Sequence, residues 1–371
     1  MVIIVKLKTK KIDYPLLIAF MLLVVIGLLM VYSASNVVAS YKYDDAFYFF
    51  KREFLFAVAG LFLMAVIINM DINKLLKQTT LIFIISVISL ILVLIPGIGV
   101  LRGGARSWIG FGSFSFQPAE FAKISIILLL AKYLSLHDKD LVKFKYFIGI
   151  LLIIFVIFGL IMLQPDFGTG IVLVISCILL LFCSGAPLKY FIMLFVLGVC
   201  GVVFLIISAP YRMERILAFL DPWSDPLGSG FQTIQSLYAI SPSGIFGLGF
   251  NKSMQKHFFL PEPQNDFIFA IICEEFGLIG GIIVILLFAY LIYRIFKIGI
   301  KTTNEHYRYV CLGIGLIYFT QVFINLGVVI GLLPVTGITL PIISYGGSSL
   351  LLSMMMIAIV LNISGEDNNK Y

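Results

Sequence analysis

Ten apolar stretches, each close to the ~20 residues a helix needs to cross a bilayer, leave this chain little choice of fold. They run approximately over 15–34, 53–70, 79–97, 116–134, 146–163, 168–184, 189–209, 267–293, 308–332 and 341–363. Nothing in a hydrocarbon core can satisfy a stray N–H or C=O, so each stretch must close its hydrogen bonds within itself as a helix. Composition agrees: 61% of the 371 residues are hydrophobic and 12% charged, with a mean hydropathy of +1.10. The expected fold class is an all-α polytopic membrane protein of about ten transmembrane helices, in one domain over 1–371.

The formal charge of +7 reads as topology. With a cytoplasmic N-terminus, sixteen Lys and Arg fall in inside segments, among them Lys11, Lys74, Lys143 and Arg294, and five in the short outside loops: Lys42, Lys51, Arg52, Arg102 and Arg106. The positive-inside rule then places both termini in the cytoplasm. Lysines spread in short loops beside apolar runs form no polar face for nucleic acid. Basic residues precede the first apolar run but no small-residue cleavage site follows it, so it is expected to persist as a helix. The five cysteines, Cys177, Cys183, Cys200, Cys273 and Cys311, lie in apolar segments without metal-ligand spacing and read as buried thiols.

One connection stands apart. Residues 210–266, between the seventh and eighth stretches, form an extracellular loop rich in Pro, Gly, Ser and aromatics, a composition more often functional than idle. Within it "FQTIQSLYAI" has helical spacing of its apolar residues.

Charges inside spans cost several kcal/mol unless they meet protein or water, which makes each a candidate for function. In "FQPAEFAK", Glu120 and Lys123 share a helical face and suit an ion pair or a polar cavity wall. In "LQPDFGTG", Asp166 is placed to cap the next helix. In "ICEEFG", Glu274 and Glu275 point in different directions, and one of them is a candidate partner for Lys123. In "LPEPQNDF", Asp266 stands where the chain re-enters the bilayer, as a helix cap or as a reactive carboxylate, with Arg52 and Arg106 offering opposite charge nearby in topology.

Five ordered segments, "GARSWIGFGSFSFQPAEFAK", "LQPDFGTG", "DPWSDPLGSGFQTIQSL", "LPEPQNDFIFAIICEEFGLIGG" and "GLLPVTGITLPIISYGGSSLL", resemble the SEDS family (shape, elongation, division and sporulation) over residues 13 to 363. The octet looks more like the FtsW and SpoVE branch than the RodA branch. Ala119, Phe167, Asn265 and "SPSGIFGLGF" depart from the usual pattern without removing a charged motif residue. The resemblance implies a peptidoglycan glycosyltransferase of the bacterial cytoplasmic membrane that polymerises lipid II at its outer face and works with a class B penicillin-binding protein. It implies Asp266 as the catalytic base and Arg52, Arg106 and Lys123 as electrostatic partners of the diphosphate, with Glu120, Asp166, Glu262 and Glu275 supporting the substrate site. A divalent cation such as Mg or Mn is a candidate helper that no motif fixes. A lipid II flippase, or a scaffold of a cell-wall complex, is the alternative; the clustering of polar motifs on the outer side favours the enzyme.

Overall fold

Asp13 starts the first helix. Its carboxylate accepts from the Leu16 amide at 2.9 Å, Pro15 fits the first turn, and α1 runs from Tyr14 to Tyr43. The computed structural model describes residues 11–102, 105–111, 114–137, 143–207, 219–228 and 230–367. Lys6, Lys8, Lys10, Lys139, Lys370 and the first residues of the 210–266 loop lie outside these.

Every predicted stretch contains a helix: α1, then α2 (Tyr48–Asn69), α4 (Thr79–Leu92), α5 (Pro118–His137), α6 (Phe144–Met162), α7 (Phe167–Cys183), α8 (Leu188–Ile207), α10 (Ile268–Lys301), α11 (Glu305–Val329) and α12 (Gly347–Asp367). Two short helices also lie among the described residues, α3 (Ile72–Lys77) and α9 (Phe231–Ile240). Among the described residues, α1, α2, α6, α10, α11 and α12 are long and apolar enough to cross a membrane by length and composition, while α4 and α7 are shorter apolar helices. The protein is a multi-pass, all-α membrane protein.

The sequence reading misses two features. Three short strands, β1 (Gly99–Arg102), β2 (Ala105–Phe111) and β3 (Phe114–Phe116), form a small antiparallel sheet in the order β1-β2-β3. The last span begins later than expected: 341–346 is a set of turns, and α12 starts at Gly347. Of the cysteines, Cys177, Cys273 and Cys311 are buried as expected, whereas Cys183 and Cys200 are exposed on helix surfaces.

The core is built around α11, which packs against α10, α5 and α7, while α12 lies along α2 and α1 against α10. At one end of the bundle Arg294 grips the Asp13 carboxylate, and the Asp13 amide donates to Ser364 Oγ at 3.1 Å, so the start of α1 and the end of α12 lie on the same side. The opposite end carries the sheet, α9 and the "LPEPQNDF" octet. Between them, the turn at 340–346 dips into the bundle. Gly27 of α1 permits this, because a β-carbon there would come within 2.7 Å of the Ile342 carbonyl oxygen. Gly27 lies 14 residues beyond Asp13, about 21 Å along the helix at 1.5 Å per residue. Irregular backbone at such depth survives only when protein surrounds it.

α10 is broken at Gly277, whose φ of 65° is left-handed. The segment 244–249 repairs the break. Leu248 and Gly249 amides donate to the Glu274 and Glu275 carbonyls at 3.0 and 2.8 Å, and Leu278 and Ile279 amides donate to the Gly244 and Ile245 carbonyls at 3.0 and 3.3 Å. Backbone groups freed by the kink are thus paired by the loop.

Candidate functional site

A cavity of about 1120 Å³ opens at the end of the bundle that carries the octet. Its wall draws on the end of α1, the start of α2, the sheet, the starts of α5 and α7, the octet, and the 335–349 segment. Six of the eight residues proposed from sequence line it: Asp266, Glu262, Arg52, Glu120, Lys123 and Asp166.

Asp266 sits at the last turn before α10 but does not cap it. The N-cap is Phe267, which makes no side-chain cap bond, and the helix-cap alternative falls away. The octet is held by its main chain: Asn325 Nδ2 donates to the Asp266 carbonyl at 2.7 Å, Ser344 Oγ to the Asn265 carbonyl at 2.6 Å, and the Tyr345 amide to the Gln264 carbonyl at 2.9 Å. The Asp266 side chain is left facing the cavity. Burial pushes its pKa up to about 6, with the like charge of Glu262 adding to the rise and its own backbone N–H opposing it. Glu262 is exposed, has a left-handed φ of 45°, and accepts from Asn265 Nδ2 at 2.6 Å.

Arg52, which also lines the cavity, lies over the Tyr48 ring at 4.4 Å and hydrogen-bonds the Tyr345 side chain. Tyr48 stacks on Tyr43 with centroids 3.8 Å apart. The guanidinium is therefore held in place by neutral groups and keeps its charge available to the cavity. Lys42, in the last turn of α1, adds a second cation to the cavity lining. The next residue of α2, Glu53, is buried and accepts from the Gly346 amide at 3.2 Å, so the Arg52–Glu53 pair engages both residues of the Tyr345–Gly346 turn.

Deeper in, Lys123 Nζ meets Glu120 at 2.6 Å and donates to Gln321 Oε1 at 2.8 Å, while Ser349 Oγ donates to Glu120 at 3.2 Å. The expected ion pair is present. Asp166 serves two roles: it caps α7 by accepting from the Thr169 amide at 3.2 Å, and it lines the cavity while accepting from Gln117 Nε2 at 2.6 Å. Burial raises its pKa, against the Thr169 and Gln117 hydrogen bonds.

Two proposed residues are corrected. Arg106 does not line the cavity, although its neighbours Ala105 and Ser107 do; it lies on β2 and packs where a side chain on Gly99 would be. Glu275 is buried elsewhere, accepting from Ser33 Oγ at 2.6 Å and the Ser253 amide at 3.2 Å, and facing Lys256 at 3.5 Å. Its neighbour Glu274 accepts from the Ser253 hydroxyl and the Met254 amide at 2.5 and 2.7 Å. Neither pairs with Lys123, as the sequence reading expected of one of them. Both carboxylates instead anchor residues 253–256, a loop about twenty positions earlier in the chain, whose Lys256 is the charge partner of Glu275.

A charge scan overlooks Gln117, Gln321, Asn325, Ser344 and Tyr345, which are neutral and organise the charged residues. For a divalent cation the donor set is thin. Asp266 and Glu262 are neighbouring acids, but among the described residues no group of three or more His, Cys, Asp or Glu could hold a metal ion, and no chemical step is assigned to one.

The model of the FtsW, RodA and SpoVE cell cycle proteins matches residues 14–369. Stage V sporulation protein E of Bacillus subtilis is 51% identical over 353 residues, covering 95% of this chain and 96% of that protein. A probable peptidoglycan glycosyltransferase FtsW of Coxiella burnetii is 40% identical, with 96% and 97% covered. Among solved structures, a chain of a peptidoglycan synthase complex that coordinates polymerization and crosslinking aligns with a TM-score of 0.81 at 28% identity, covering 97% of this chain and 99% of that one. The rod shape determining protein RodA of Thermus thermophilus shares the fold, with a TM-score of 0.69 at 24% identity over 95% and 97% of the two chains.

Proposed function

This chain belongs to the FtsW, RodA and SpoVE family, and from that premise we propose that it is a peptidoglycan glycosyltransferase that polymerises lipid II at the outer face of the bacterial cytoplasmic membrane, with Asp266 as general base. One observation carries the assignment: Asp266 presents a carboxylate with a pKa near 6 to a large cavity that Arg52 also lines. A base is most useful when its pKa lies near the working pH, ionised yet still basic.

The 4-hydroxyl of an acceptor N-acetylglucosamine attacks the anomeric carbon of a lipid-linked N-acetylmuramic acid. As the new C–O bond forms, the hydroxyl proton passes to Asp266 and the bond to the undecaprenyl diphosphate breaks, with inversion. Arg52 and Lys42 supply positive charge for the departing diphosphate. Lys123, neutralised by Glu120, shapes the polar floor. Arg106 and Glu275 have no part in this step. The positive-inside rule supports placing the cavity on the outer face, at the end opposite Asp13 and Ser364. The match to a synthase complex supports assembly with other cell-wall proteins, and a class B penicillin-binding protein is the partner we assign.

Purified protein given lipid II in detergent, with and without the partner transpeptidase, tests the reading. Glycan strands are expected from the wild-type chain and absent with Asp266→Asn. Detergent removes the two leaflets, so a flippase gives no product in this assay. Equal strand synthesis by a folded Asp266→Asn protein would overturn the assignment of the base.

A further inference from the structure

α11 crosses the middle of the bundle, yet places two buried amides one turn apart, Gln321 and Asn325. A buried amide is costly unless its donors are used. Asn325 sends both to carbonyls on separate segments, Asp266 at 2.7 Å and Ile338 at 2.7 Å. Gln321 donates to the Thr339 carbonyl at 3.1 Å and accepts from Lys123. Both segments met by Asn325 line the cavity, so one side chain fixes the spacing between the residue bearing the reactive carboxylate and the wall at Ile338.

We propose that Asn325 is a positioning residue for the glycosyl transfer: its amide stitches the main chain of Asp266 to the re-entrant 338–344 segment and thereby sets where the Asp266 carboxylate stands in the cavity. Ser344 closes the same stitch from the other side, accepting from the Leu340 amide at 2.8 Å and donating to the Asn265 carbonyl. The inference rests on the reading of Asp266 as base. It adds that the position of the base is set from α11, a helix that offers the substrate no charge.

A purely structural amide is available as the comparison. Asn362 is equally buried and donates to the Ile67 and Met70 carbonyls at 2.6 and 2.9 Å, near the Asp13 end of the bundle. Asn325→Asp and Asn362→Asp each keep the side-chain shape and remove one amide. The full chain, purified in detergent with its transpeptidase, is assayed with lipid II for kcat, KM and the pH dependence of kcat, beside a thermal unfolding curve.

Both variants are expected to lose similar thermal stability. Asn325→Asp is expected to lose about 100-fold in kcat, the scale of a ~1 Å misplacement of a reacting group, with KM little changed and the acid limb of the pH profile displaced. Asn362→Asp is expected to retain kcat and the wild-type limb. Should Asn325→Asp fail to accumulate, Ser344→Ala reads the same stitch, with a smaller loss of kcat and a displaced limb. Loss of kcat that follows folded fraction alike in the Asn325 and Asn362 variants, or an acid limb unmoved in Ser344→Ala, which adds no charge beside Asp266, overturns the proposal. Asp266→Asn separates the two readings: if it is inactive while Asn325→Asp behaves as Asn362→Asp, only the role of Asn325 fails.

Discussion

Gly247 and Gly277 meet back to back: a β-carbon built on Gly247 would lie 2.5 Å from the Gly277 amide nitrogen, and both residues have left-handed φ, 72° and 65°. The contact closes the break in α10 with residues from the long loop. Because the atoms in the way are backbone, neither chain can move aside cheaply. Gly277→Ala is expected to cost roughly 1–3 kcal/mol from backbone conformation alone, with the clash added. Limited proteolysis of the purified protein should show faster cleavage within 244–256 and a lower unfolding temperature, and unchanged cleavage would count against the splint.

With Asp266 as the proposed base, its carboxyl is expected to set the acid limb of activity. Its folded pKa of about 6 lies above the ordinary value of 3.8, so the base is protonated and idle below pH 6 and active above it. The rate should fall about tenfold per pH unit on the acid side. Removing the neighbouring like charge with Glu262→Gln should move the limb to lower pH, since that charge raises the pKa. A limb that stays in place, or moves up, contradicts the electrostatic account.

The same shift makes a statement about stability. A carboxyl whose folded pKa is raised binds its proton more tightly in the folded state, so folding loses stability as pH climbs from about 3.8 to 6. Asp266→Asn removes that cost. It should be more stable than the wild type at pH 7.5, by up to about 3 kcal/mol, and match it below about pH 4. Activity should drop by about 10²- to 10⁴-fold in the same protein.

Lys123 and Glu120 form a buried pair, 2% and 12% exposed. Lys123→Met alone leaves the carboxylate without its ion-pair partner, a change that costs on the order of 3–5 kcal/mol. The double variant Glu120→Gln with Lys123→Met should recover much of that loss in thermal unfolding. Pairing Lys123→Met with Glu275→Gln should recover nothing, because Glu275 faces Lys256.

Hydropathy made the helices legible because twenty apolar residues in lipid have one backbone solution. The sheet at 99–116 escaped because its strands are three to seven residues long and lie in a segment that hydropathy treats only as a connection. The charged members of the site were legible for the reason that made the helices so: a carboxylate or a guanidinium near the bilayer needs an explanation. That logic also misled. It grouped Glu275 and Arg106 with the site, since charge alone carries no information on which face of an element a side chain occupies. Asn325, Gln321 and Ser344 carry no charge and draw no notice in such a reading, although they determine where the charged groups stand.

The bond between the Asp13 amide and Ser364 joins positions 351 residues apart. The ribosome delivers α1 to the membrane long before α12 exists, so the first helix must wait through almost the entire course of synthesis for a contact at its own starting residue. Arg294 of α10 reaches that end first, itself 281 residues after Asp13, and the bundle is fastened from its last helices back to its first.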